Sequence, residues 1–178
     1  MESASDADET GLVVPVPELD GFVRKWRPLV DASPPVGIPA HITLLYPFLG
    51  PPVDPAALAR LEAVLADVES FEFQLSEVGW FGSEVCFVTV EPEDPFRDLT
   101  HRLVSAFDLQ PYGGEIVDPK PHVTIGWRGA NTAMNQVATA AEELLPRLAH
   151  AGEVWVMEGT MSPPHWSVAH RLGLGPST

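Results

Sequence analysis

PAHITLLY, residues 39–46, sets a histidine and a threonine two positions apart in an otherwise apolar stretch. KPHVTIGW, residues 120–127, repeats the arrangement: proline, histidine, a β-branched residue, threonine and an apolar residue. Each stretch reads as a strand. Residues i and i+2 of a strand point to one face, so His41 shares a face with Thr43, and His122 with Thr124. The intervening Ile42, Leu44, Val123 and Ile125 point the other way, into a core. Four polar side chains on inner faces need partners or water, because burying them unpaired is costly. A wet cleft between the two strands satisfies that demand.

The chain around the two motifs reads as α+β. GLVVPVP (11–17) is a strand, placed near a sheet edge by its two prolines. Residues 17–30 carry apolar side chains at helical spacing. Residues 55–70 form a helix with Asp54 as N-cap and Pro55 at its first position. Residues 71–78 and 84–90 are strands joined by a turn. Residues 95–107 form a helix capped by Asp94. Residues 131–150 are helical with Pro146 near the end, and 153–158 and 166–174 are strands.

Phe71 stands 30 residues after His41, and Glu153 stands 31 after His122. The architecture is therefore duplicated, although the residue identities are not. The expected fold is bilobal and pseudo-two-fold, with halves at about 11–90 and 91–174 of a single domain (11–178) facing each other across a central cleft. MESASDADET, residues 1–10, has no apolar periodicity and reads as a disordered acidic tail.

Composition narrows the function. The 178 residues carry 10 Lys and Arg against 25 Asp and Glu, a formal charge of −15. Phosphate contacts supply much of the affinity for long nucleic acids, so this balance argues against an extended polynucleotide groove. It leaves room for a small phosphorylated ligand held by a few local donors. The single cysteine, Cys86, reads as a buried small hydrophobe. No signal peptide and no apolar run of membrane-spanning length is present, so a cytoplasmic monomer is expected. CxxC, HExxH and P-loop patterns are absent, and no third ligand with metal-like spacing joins the histidines, so neither metal nor cofactor is expected.

Two imidazoles can divide the work of general base and general acid near neutral pH. Two hydroxyls can donate to non-bridging phosphate oxygens as charge develops there. The four residues are thus a metal-free set for cleaving a phosphodiester.

Paired H-x-T motifs, one in each half of a duplicated αβ chain, resemble the 2H phosphoesterase superfamily, which includes bacterial 2′-5′ RNA ligases and cyclic nucleotide phosphodiesterases. The resemblance spans about residues 11–174. It implies two antiparallel-rich sheets flanking the cleft, with helices outside. It also implies metal-independent cleavage or formation of 2′-linked or cyclic phosphates in ribonucleotides. His41 and His122 match the catalytic histidines, and Thr43 and Thr124 the phosphate-binding hydroxyls. Many relatives follow the motif with an arginine. Here Leu44, Leu45 and Tyr46 follow the first motif. Trp127 stands at the arginine position of the second, one residue before Arg128.

Arg128 shares strand parity with His122 and Thr124 and would reach the cleft if the strand continues regularly through Gly126. Tyr46, Trp127 and Tyr112 are candidates to stack a base, as are Trp80 and Phe81. Lys120 could steer an anion. Arg24, Lys25 and Arg27 form the one tight basic cluster, which either rims the cleft and guides a nucleotide or is the solvent face of the first helix; the second reading is preferred. His165-Trp166-Ser167 is a partial third motif taken as coincidence, and His101, His150 and His170 are given no function. The expected substrate is a ribonucleotide 2′,3′-cyclic phosphate, a related 2′-5′ or cyclic phosphodiester, or an RNA end. The alternatives are a non-catalytic nucleotide-binding module of the same fold and an RNA end-processing ligase or exonuclease.

Overall fold

The computed structural model describes residues 7–175. Its centre is one eight-stranded sheet in which every paired strand is antiparallel. In chain order the strands are β1 (Glu9–Pro15), β2 (His41–Leu45), β3 (Phe71–Phe81), β4 (Val85–Glu91), β5 (His122–Trp127), β6 (Arg147–Ala151), β7 (Glu153–Met161) and β8 (Pro164–Gly173). Across the sheet they run β6-β3-β4-β5-β2-β1-β7-β8. The helices are α1 (Asp20–Val30), α2 (Pro55–Ala66), α3 (Asp94–Phe107) and α4 (Asn131–Glu142).

The two expected sheets are thus continuous. Two four-stranded halves meet at the junction of β2 and β5, where Ile42 pairs with Val123. Each half holds one H-x-T strand, but its outer strands come from both ends of the chain. β4 pairs with β5 and β3 lies beyond it, whereas β7 and β8 lie beyond β1 and β2.

Local chemistry accounts for most element boundaries. The Asp54 carboxylate accepts the Ala57 N–H at 2.9 Å, and Pro55 opens α2 where no intrahelical donor is needed. α3 starts differently from expectation. Asp94 is its first residue, and Glu93 holds the cap position without a side-chain capping bond, because its carboxylate is engaged by Arg97 and Lys120. β1 is interior, between β2 and β7, not at an edge. Its prolines fall where the strand ends, Pro15 as the last residue and Pro17 beyond it. β1 also begins two residues early. Glu9 and Thr10 belong to it and Thr10 is buried, so the expected tail of residues 1–10 stops short of them. Residues 1–6 lie outside the described residues.

The expected helix over 131–150 ends at Glu142. Pro146 cannot donate to an interior turn and restricts the residue before it. The chain after it becomes β6, which turns Ala149 and Ala151 inward against β3.

The core lies between the sheet and its helices. Ile42, Leu44, Val123 and Ile125 are buried there with Phe73, Leu99 and Val137. α1 and α4 pack on β5, and α3 packs on β2. A second, smaller cluster of Val13, Met157 and Trp166 sits apart from this core and lines the cleft.

Candidate active site

The Ile42–Val123 pair fixes the site. Extending its antiparallel register by one residue each way places His41 opposite Thr124 and Thr43 opposite His122. The two H-x-T motifs therefore meet head to tail on one face, and Ile42 and Val123 are both fully buried on the other.

The histidines are held in matching ways. His41 Nδ1 lies 2.8 Å from the Pro39 carbonyl, and His122 Nδ1 lies 2.6 Å from the Lys120 carbonyl. A carbonyl can only accept, so Nδ1 carries the proton and the neutral ring leaves Nε2 as the acceptor. Burial pushes His41 down to about 4 (the Pro39 carbonyl opposes this), and the charges of Arg27 and His122 push the same way. Burial also lowers His122, partly offset by its bond to the Lys120 carbonyl, and the Lys120 charge adds to the lowering. Phe81 and Phe87 flank the His122 ring, with centroids 5.0 and 5.1 Å away.

A cavity of about 310 Å³ opens beside the junction. That is the size range of small-ligand sites. His41, Thr43, Thr124, Tyr46, Tyr112 and Trp127 stand on its wall, joined by Trp166 and Arg27. Tyr112 is held by its backbone N–H, which donates to the Tyr46 carbonyl at 2.6 Å. Burial pushes its phenol up, and the Thr43 hydroxyl donating to the phenol oxygen partly offsets this. The Tyr46 hydroxyl donates to Glu9. Its ring lies edge-on to Tyr112 and Trp166, 6.2 Å from each. The loop of residues 33–39 edges the cavity through Ser33, Pro35 and Ile38. It is sewn to β8 by Val36 N–H to the Pro164 carbonyl (3.1 Å) and Trp166 N–H to the Val36 carbonyl (2.7 Å). Gly37 has φ +86°, and a Cβ there would sit 1.9 Å from the Trp166 carbonyl oxygen, so only glycine fits.

Three expected site residues are not on this wall. His122 adjoins it across the junction. Lys120 pairs with Glu93, in a network where Arg97 also bonds Glu93 and Asp118. Burial would raise the Glu93 carboxyl, but the hydrogen bonds from Lys120 and Arg97 outweigh it and hold the group low. Lys120 is thus engaged in fixing the approach to β5. Arg128 is turned away by a bulge. Cys86 opposes Gly126 while Phe87 opposes Thr124, so Ile125 is an extra residue and the parity of the strand shifts. Trp127 takes the inward position. Arg128, at φ 53°, lies beyond the strand and pairs with Glu84 at 3.2 Å on the exposed surface.

The cation on the wall is Arg27, which the sequence reading assigned to solvent. Arg27 Nη1 donates to the Ile38 carbonyl. Burial lowers its pKa, while Asp31 and Asp20 act to raise it. A signal for this was present. Val23, Arg27 and Val30 follow at i, i+4 and i+7 on one helical stripe, and both valines are buried. Trp80, His101, His150 and His165 are exposed and off the wall, with His150 on β6 and not on the expected helix. Among the described residues no group of three or more His, Cys, Asp or Glu could hold a metal ion, and no helix is long and apolar enough to cross a membrane.

Solved structures of low sequence identity share this fold. E. coli LigT complexed with NADP+ is 19% identical with a TM-score of 0.57, covering 96% of this chain and 99% of that one. LigT complexed with 3′-AMP is 16% identical with a TM-score of 0.58, over 96% and 99%. A protein of Thermus thermophilus is 20% identical with a TM-score of 0.59, over 95% and 100%. No curated protein matches the chain. The family model of the 2′-5′ RNA ligase superfamily matches residues 15–160, and the chain belongs to that superfamily. Membership supports a phosphodiesterase-type activity.

Proposed function

We propose that the protein is a metal-independent phosphodiesterase acting on ribonucleotide 2′,3′-cyclic phosphates or closely related 2′-5′ and cyclic phosphodiesters. The observation that carries this reading is the head-to-tail meeting of His41 and Thr43 with His122 and Thr124, each imidazole fixed with Nε2 free. One neutral imidazole takes a proton from water as the water oxygen bonds to phosphorus. The other, protonated, delivers its proton to the ribose oxygen as the bond from phosphorus to that oxygen breaks. His41 suits the base role, because burial and the Arg27 charge hold it in the neutral form that can accept a proton. His122 then acts as the acid.

Thr43, Thr124 and Arg27 hold the non-bridging oxygens, where charge accumulates. The Thr43 hydroxyl has one proton, now directed at Tyr112. When that proton turns to phosphate, the Tyr112 hydroxyl donates to Thr43 in exchange. Tyr46, Trp127 and Trp166 supply flat apolar walls for a base. The cavity volume and the acidic surface favour a nucleotide or a short RNA end over a long duplex.

The test is turnover of the four nucleoside 2′,3′-cyclic monophosphates in EDTA by wild type, His41→Ala and His122→Ala. Loss of roughly 10²–10⁴ in kcat for each variant is expected. Nucleotide binding without turnover by the wild type would select a non-catalytic binding module instead. Activity surviving both substitutions would place the chemistry elsewhere.

A further inference from the structure

A second cavity, of about 510 Å³, lies on the other side of the 33–39 loop. Arg24 and Arg27 of α1 and Arg171 of β8 line it. One carboxylate, Asp20, shares the wall, and it is occupied by the Ala40 N–H at 2.9 Å. None of the three arginines is in an ion pair among the described residues. In a chain with 10 basic residues and 25 acidic ones, three arginines lining one cavity with none of them in a salt bridge among the described residues is not the pattern of a solvated face. Arg171 is ordered by stacking, its guanidinium carbon 4.5 Å from the Trp155 ring centroid. Glu153 accepts the Trp155 indole N–H at 2.7 Å but is not on the cavity wall.

The two cavities are contiguous. Val23, Arg27, Pro35 and Ile38 belong to both walls, and Arg27 is the charged group between them. We propose that the second cavity is an anion subsite for a second phosphate group of the same substrate. This rests on the phosphodiesterase reading of the first cavity. The preferred substrate then carries the scissile phosphate at the His–Thr pairs and another phosphate farther along, as a 5′-phosphate, a pyrophosphate or the next phosphodiester of a short RNA. Guanidinium groups suit this ligand because their forked donors match phosphate oxygens.

The experiment compares kcat/KM for three substrates, with wild type and the double variant R24Q/R171Q. They are a nucleoside 2′,3′-cyclic phosphate with a free 5′-hydroxyl, the same compound with a 5′-phosphate, and a dinucleotide ending in the cyclic phosphate. Both arginines are exposed, so the fold should tolerate their replacement. In wild type the second phosphate is expected to raise kcat/KM roughly tenfold, mainly through KM, and in the variant this ratio falls toward one. The 5′-phosphate and dinucleotide arms tell a terminal phosphate from an internal diester. A ratio near one in wild type, or one unaltered in the variant, overturns the subsite. If no cyclic phosphate is turned over, the phosphodiesterase reading fails on its own. Calorimetry with inorganic pyrophosphate then decides the subsite. Binding that weakens about tenfold in R24Q/R171Q supports it, and absent or unaltered binding overturns it.

Discussion

Ile42 and Val123, both fully buried, form the residue pair that joins the two halves of the sheet. Their register makes Thr43 the neighbour of His122, and Thr124 the neighbour of His41. Each hydroxyl is therefore expected to serve the imidazole of the other motif. Thr43→Val and Thr124→Val keep the side-chain shape and delete one phosphate donor. Each should lower kcat by roughly 10- to 100-fold while the fold is retained, as measured by steady-state kinetics with circular dichroism as control. Retained kcat in both variants would remove the hydroxyls from the reaction.

Arg27 is the cation beside His41. Arg27→Gln should raise KM for a cyclic phosphate about tenfold or more, because a half-buried donor to the phosphate is lost. It should also raise the pKa of His41, since the neighbouring positive charge helps hold that ring neutral. An imidazole titration followed by NMR reads this directly. Arg128→Ala breaks an exposed pair with Glu84 and a stacking contact with the Trp127 ring, 5.2 Å from the guanidinium carbon, neither of which touches the histidines or threonines, and should leave kcat unchanged.

The pH dependence follows from the depressed histidines. His41 falls from 6.5 to about 4 on folding, so the unfolded chain takes up the proton first as pH drops. The stability this group contributes is complete above pH 6.5 and is lost between there and about 4, on the order of 3 kcal/mol in all. His122, shifted the same way, adds to the slope. Thermal denaturation across that window should show a flatter pH dependence for His41→Gln than for wild type. In the proposed mechanism the reactive form has His41 neutral and His122 protonated. The optimum of kcat/KM is therefore expected on the acid side of neutrality, and a rise continuing past pH 8 would contradict the assignment.

Cys86 is fully buried on β4, and burial pushes its thiol up to about 12. It should be inert to an aromatic disulfide reagent in the native protein and react with one equivalent after denaturation. Fast native reaction would contradict its placement in the core.

Much of this was legible in the chain because alternation is a local signal. The faces of β2 and β5 followed from His41, Thr43, His122 and Thr124 with their apolar spacers. What strand parity could not supply was the bulge at Ile125, since a one-residue insertion is a matter of pairing with Cys86 and Phe87. That insertion exchanged Arg128 for Trp127 on the wall. β6 was hidden because Arg147–Ala151 follows a long helical run and carries little β-branched character; it is a strand because β3 offers it an edge. Arg27 was missed by reading Arg24, Lys25 and Arg27 as a charge cluster when the valine stripe through it pointed inward.

The interleaving of β3 and β4 with β5, and of β7 with β1, bears on how the protein can be made. A nascent chain that has emerged only as far as Glu91 contains the first H-x-T strand and two helices. It still lacks the neighbour that covers the open side of β1 and the one that covers β4. Both arrive with residues 122–161. Folding during synthesis must therefore wait until most of the chain has left the ribosome, and a cut between the halves should yield two fragments that fold only when mixed.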